Sequence, residues 1–171
     1  LEQAVGAIGV LAEGGGQAPI LGVALLWPRY GEGTVPFDGQ GRPILNRPEL
    51  RFSELEQWAF DPYRRSTEAG KSAAVVGQFV SDGGGTSFSL TRYQMNCCAA
   101  GAIPLKAIIM VSPTWQGERL DSKSRQKKWV RVIGRIYFLK KRGAADEYVP
   151  ALILFPDKDH PPDALVEEVP Q

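Results

Sequence analysis

Histidine is nearly absent from this chain, cysteine occurs only as one adjacent pair, and no hydrophobic run is long enough to cross a bilayer. Each scarcity removes a class of function. With His160 as the sole histidine, no Ser/His/Asp or Cys/His pair stands in a convincing context, and Gly83-Gly84-Gly85 lacks the lysine and following helix of a phosphate loop. The carboxylates Glu54 and Glu56 are explained by helix capping rather than by acid–base chemistry. The sequence therefore reads as that of a protein that is not an enzyme, and it implies no cofactor and no small-molecule substrate. Near the start, the longest apolar stretch is Ile20 to Trp27, and Gly14-Gly15-Gly16 keeps it from merging with Val5 to Leu11, so neither is a transmembrane segment. The start at Leu1 rather than methionine is consistent with a processed or excised piece, from which an anchor or signal would have been removed.

Charge of either sign is also lacking in the balance. The formal net charge is +1, so nothing global calls for nucleic acid, an acidic partner or a membrane surface. Its distribution is uneven, however. From Lys123 to Arg142 every charged residue is basic, whereas the tail after Phe155 is mostly acidic.

What is present is enough for one domain: 171 residues with 43% hydrophobic content can bury a real core. Residues 1–50 are punctuated by Pro19, Pro28, Pro36, Pro43 and Pro48 and read as an extended arm with one short strand, Leu21 to Trp27, that wraps over the main domain or pairs with a partner. Asp38-Gly39-Gln40-Gly41 is a turn signal within it. Ser53-Glu54-Leu55-Glu56 reads as a capping box opening a short helix, with Leu55, Trp58 and Ala59 on its apolar face and Asp61-Pro62 at its end.

From Ser72 the apolar period becomes two. Ala73, Val75, Gly77 and Phe79 share one face of a first strand, and Asp82-Gly83-Gly84-Gly85 supplies a hairpin connection. A second strand carries Phe88 and Leu90 in one phase and Tyr93, Met95 and Cys97 in the other, which predicts a β-bulge at Thr91-Arg92. Further strands are expected over Leu105 to Val111, Trp129 to Phe138 and Tyr148 to Phe155, the last with Pro150 near its start as an edge or first-strand position. Five strands in this order resemble an OB-like barrel over residues 51–156, followed by an acidic tail, 157–171. The fold class is mainly β, with a short N-terminal helix and a Gly/Pro-rich arm.

Two features carry candidate chemistry. Cys97 and Cys98 are soft ligands suited to zinc or Cu(I), but His160 lies beyond the last predicted strand and adjacent strand residues point to opposite faces, which hinders joint chelation. A buried structural thiol is the better reading for at least one of them, with metal or redox handling as the alternative. The second feature is the strand face of Trp129, Arg131, Arg135 and Tyr137. Aromatic and basic residues interleaved on an OB-like barrel suit single-stranded nucleic acid, and equally suit an ordinary solvated sheet face.

The segment Phe88 to Ala102, with its Arg92-Tyr93 before Cys97-Cys98-Ala99-Ala100, and the later strand Trp129-Val130-Arg131-Val132-Ile133-Gly134 resemble the C-terminal domain of the YcgQ-like family. Those are bacterial membrane proteins often paired with a predicted permease. The short helix Phe52 to Phe60 and Gly70-Lys71 before the first strand fit the same pattern, so the resemblance spans roughly residues 51–156. Gly101 departs from it, standing where the family usually has Asp, which removes a potential metal ligand at the cysteines. The resemblance implies an extracytoplasmic, membrane-associated accessory domain with a membrane or envelope protein as partner; a chain with no upstream membrane segment would instead be cytoplasmic. Arg92, Tyr93, Trp129, Arg131, Arg135 and Tyr137 are the candidate partner-binding residues, and Cys97 and Cys98 the candidate metal ligands. The expected function is a non-enzymatic interaction module, with a single-stranded nucleic-acid binder and a thiol- or metal-handling protein as alternatives.

Overall fold

Five strands close into a barrel in a computed structural model that describes residues 34–94 and 101–170. They are β1 (Ser72–Ser81), β2 (Ser87–Gln94), β3 (Ile103–Val111), β4 (Trp129–Lys140) and β5 (Tyr148–Leu154). The order is β1-β2-β3-β5-β4, and β4 returns to pair with β1. All contacts are antiparallel except β3 with β5, the pairing that gives the sheet its OB-like topology. The expected strand Leu21 to Trp27, Met95, Cys97 and Cys98 lie outside the described residues.

Period-two alternation sets the interior. Ala73, Val75 and Phe79 of β1, Phe88 and Leu90 of β2, Leu105, Ala107 and Ile109 of β3, Val130, Val132 and Ile136 of β4, and Leu152 and Leu154 of β5 are all buried in one cluster. Within it the rings of Phe79 and Phe88, at the closed end of the hairpin, stack with centroids 4.2 Å apart. That hairpin turns through Gly83 and Gly85, whose φ angles of 86° and 71° only glycine adopts readily. Pro150 sits where β5 is paired with β4 alone, before the β3 ladder begins at Ala151, so its missing N–H breaks no ladder to β3.

Two sequence expectations are corrected. The β2–β3 register runs without an inserted residue from Ser87 opposite Met110 to Gln94 opposite Ile103, so there is no bulge at Thr91-Arg92. The change of phase has another cause. Pairing with β1 stops at Gln78 opposite Thr91, and beyond that point β2 leaves β1, so Arg92, Tyr93 and Gln94 are all exposed. The helix α1 (Phe52–Phe60) begins two residues earlier than the Ser53 capping box requires. Arg51 is its N-cap and its backbone N–H donates to Glu54 Oε2 at 3.0 Å, because burial of Phe52 in the barrel makes it the first helical residue.

A second helix, α2 (Pro62–Glu68), follows after Asp61, whose carboxylate accepts from the backbone N–H of Tyr63 and Arg64. Helices α1 and α2 lie against β5 and β4, and the outward-phase residues Tyr137, Leu139, Ala151 and Ile153 are buried. Arg65 spans the layer, its guanidinium 3.8 Å from the Tyr148 ring centroid.

The arm and tail both join the barrel. Arg47 and Leu50 hydrogen-bond along β1 through Ser72 and Ala74, and the Phe37 ring stacks on His160 with centroids 3.5 Å apart. After β3 comes a one-turn helix, α3 (Ser122–Arg125). Past β5, a 3-10 turn at Pro162–Leu165 leads into a short strand, β6 (Val166–Glu168), that pairs with Val130–Val132 of β4. The uneven charge of the sequence resolves here. Arg125 pairs with Asp163, Lys128 with Glu168 at 2.8 Å and Arg131 with Glu167 at 3.1 Å, so the basic strand is met by the acidic tail.

Candidate functional site: a basic groove at the barrel seam

Where β1 and β2 part, the barrel has a seam. Ser72 to Gln78 of β1 pair with β4, the last third of β2 pairs only with β3, and the segment Pro48–Ser53 enters the space between them. A groove of about 660 Å³ results, open along one side. Its apolar floor is Phe52, Ala74, Val76 and Leu105, and its walls carry Arg51, Arg92, Tyr93, Arg131 and Glu49. A continuation past Pro48 brings in Asn46, Arg47 and Glu54.

The local sequence places each side chain. Arg92 follows Leu90 in the inward phase of β2, but it lies beyond the last β1 contact, so it emerges at the barrel mouth instead of the core. Tyr93 is 61% exposed beside it. Arg131 stands on the outward phase of β4, opposite Val76, with its guanidinium held by Glu167. Arg51 is fixed by its place at the start of α1. Among the described residues, neither Arg51 nor Arg92 has a carboxylate within ion-pair distance.

The main chain adds to the site. Phe79 exchanges hydrogen bonds with Lys127 and Lys128, so the odd-numbered residues of β1 face β4 and the even-numbered ones face the opposite edge. On that edge Ser72 and Ala74 are taken by the arm, and Gln78 and Val80 by β2. Val76 lies between the two, and among the described residues it pairs there with neither.

The structure thus brings Arg92, Tyr93 and Arg131 into one groove and leaves the other expected residues outside it. Trp129 is half-buried at the start of β4, its carbonyl accepting from Val169 N at 3.0 Å. Arg135 is used structurally, donating from Nη1 to the Gly70 carbonyl at 2.7 Å and from Nη2 to the Thr34 carbonyl at 2.8 Å. Tyr137 is 2% exposed, and burial pushes its phenol up from its ordinary value against the opposing pull of Arg135. The interleaved stacking face expected on β4 is therefore not assembled, because helices pack over its second half. Sequence reasoning missed Arg51 and the Val76 edge; both belong to the groove only through closure of the barrel.

At the hairpin end a second hollow, about 520 Å³, is lined by Met110, Val111, Trp115 and the Gly85–Ser87 turn. Its Trp115 indole N–H donates to the Glu118 carbonyl at 2.9 Å, and it gathers no comparable set of like charges. Among the described residues no group of three His, Cys, Asp or Glu is placed to hold a metal, and Cys97 and Cys98 fall outside them. No helix among the described residues is long and apolar enough to cross a membrane. Comparison with protein-family models and with curated proteins found no match.

Proposed function

We propose that this chain is a non-enzymatic interaction domain of a membrane or envelope-associated complex, in keeping with the permease accessory that the resemblance implies. The observation that supports this reading is the seam groove: two arginines with no carboxylate partner among the described residues, an exposed tyrosine and one position of strand edge, Val76, that no described residue pairs form a surface built to receive something. The nucleic-acid reading draws less support, since Arg125, Lys128 and Arg131 are matched by carboxylates of the tail.

The test is site-specific cross-linking in native membranes. A photo-cross-linking amino acid at position 93, in the groove, should capture a membrane or envelope protein, and the same group at position 44, exposed on the arm, should not. Adducts with cytosolic proteins alone, or equal capture from both positions, would overturn the proposal.

A further inference from the structure

The seam groove has a chemistry that selects among partners. Its arginines converge from three places, the N-cap of α1, β2 and β4. Arg131 is held by Glu167, while Arg51 and Arg92, with no carboxylate within ion-pair distance among the described residues, present guanidinium groups that pair with carboxylates through two parallel hydrogen bonds. Glu49 lines the same groove and Glu54 its continuation, so the field is positive but interrupted. A polyphosphate backbone, with a charge on every unit, would meet those two carboxylates. Isolated acidic side chains set along a chain would not have to. Val76 adds a directional requirement, for its outward N–H and C=O match a peptide main chain in extended form.

From these three features we infer that the groove takes an extended, acidic segment of a partner protein, its carboxylates pairing with Arg51 and Arg92 and its main chain meeting the edge of β1 at Val76, which no other described residue pairs. The inference rests on the interaction-domain reading and names the partner's chemistry. The apolar floor of Phe52, Val76 and Leu105 accepts the side chains that alternate with the acidic ones, since successive residues of a strand face opposite sides.

The probe is a labelled peptide of about eight residues in which Thr and Glu alternate, measured by fluorescence anisotropy at low salt against the whole chain. Alternating Thr-Gln and Thr-Lys peptides, a Thr-Glu peptide N-methylated at alternate residues and an oligothymidylate serve as comparisons. The Thr-Glu peptide should bind at least about tenfold more tightly than each of them. Arg51→Gln and Arg92→Gln should each weaken it by about tenfold or more, as a lost charge-assisted hydrogen bond requires. Both positions are exposed, so circular dichroism should show an unchanged fold.

Equal binding of Thr-Gln or Thr-Lys, indifference to the arginine substitutions, or no peptide binding at all would overturn the inference. Equal binding of the N-methylated peptide would remove the strand-edge contact, and tighter binding of the oligothymidylate would make the groove a polyanion site instead. Failure here is separable from failure of the broader reading. Capture of a membrane protein from position 93 by a chain that ignores every acidic peptide would keep the interaction domain and discard the acidic strand.

Discussion

Gly77 and Phe52 occupy each other's space. A Cβ built on Gly77 would stand 3.0 Å from two carbons of the Phe52 ring and 3.2 Å from Leu90 Cβ, so the absence of a side chain on β1 is what admits the first residue of α1 into the barrel. The groove depends on this pairing, because Phe52 forms its floor and Arg51 is the preceding residue. Gly77→Ala should destabilise the fold by about 1–3 kcal/mol through overpacking. Phe52→Ala should cost about 3–5 kcal/mol by leaving a cavity. Urea unfolding of Gly77→Ala, of Phe52→Leu and of Gly77→Ala/Phe52→Leu decides it. The double variant should recover part of the first loss, and strict additivity of the two changes would refute the contact.

Glu68 supplies a second prediction. It is 2% exposed, yet its carboxylate lies 3.2 Å from both Arg47 and Lys71, and 3.8 Å from Arg64. Burial alone would push its pKa up; the hydrogen bonds and charges of Lys71 and Arg47 overcome that and hold it below the ordinary 4.5. A carboxyl whose folded value is depressed stabilises the fold fully above its unfolded value and loses that contribution as the pH falls through the folded one. Melting temperature should therefore decline as the medium is taken below pH 4.5. Glu68→Gln should cost about 1–3 kcal/mol at neutral pH, and its acid limb should be shallower than that of the wild type. Parallel acid limbs would exclude Glu68 as the group responsible.

How far the sequence foretold this structure depends on distance along the chain. The strands were legible because each writes its own burial pattern locally, as Ala73, Val75, Gly77 and Phe79 do on β1, and the five-stranded order followed from their spacing. The groove was legible only in part. Arg92 and Tyr93 stood out beside the cysteines, but Arg51 joins them only when β4 closes onto β1 and the arm fills the gap left by β2. Tyr137 illustrates the converse: its alternation with Ile136 marked it as outward, correctly, and nothing local showed that helices α1 and α2 would bury that part of the outer face. The apparent bulge at Thr91-Arg92 arose in the same way, from a strand that changes neighbours without changing register. β6 was missed because three residues are too few to show a period.

The tail should be held by its apolar anchors more than by its charges. Leu165 and Val166 are 1% exposed, whereas Glu167 and Glu168 reach Arg131 and Lys128 from partly exposed positions. Leu165→Ala should cost about 2–4 kcal/mol as a cavity under β4, and Glu167→Gln less than about 1 kcal/mol as a partly solvated ion pair. Chemical denaturation of both variants provides the comparison. A larger loss from Glu167→Gln would mean that the ion pair, and not the core, secures β6.

Arg135 should govern how firmly the arm is attached. Its guanidinium joins the Gly70 carbonyl after α2 to the Thr34 carbonyl of the arm, and its Nε is buried without a hydrogen-bond partner among the described residues. Arg135→Ala removes two charge-assisted hydrogen bonds, each worth about 1.5–3 kcal/mol in buried settings and less where the carbonyl is exposed, as at Thr34. The expected result is selective: limited proteolysis should cut near Thr34–Pro36 faster than in the wild type, while Leu50 and the barrel stay protected. Arg135→Lys should restore little of that protection, since one ammonium on a shorter reach cannot span both carbonyls in the planar geometry of a guanidinium. Uniformly faster cleavage across the barrel would show instead that Arg135 stabilises the whole fold, and unchanged cleavage at the arm would show that the Arg47 and Leu50 bonds along β1 suffice to hold it.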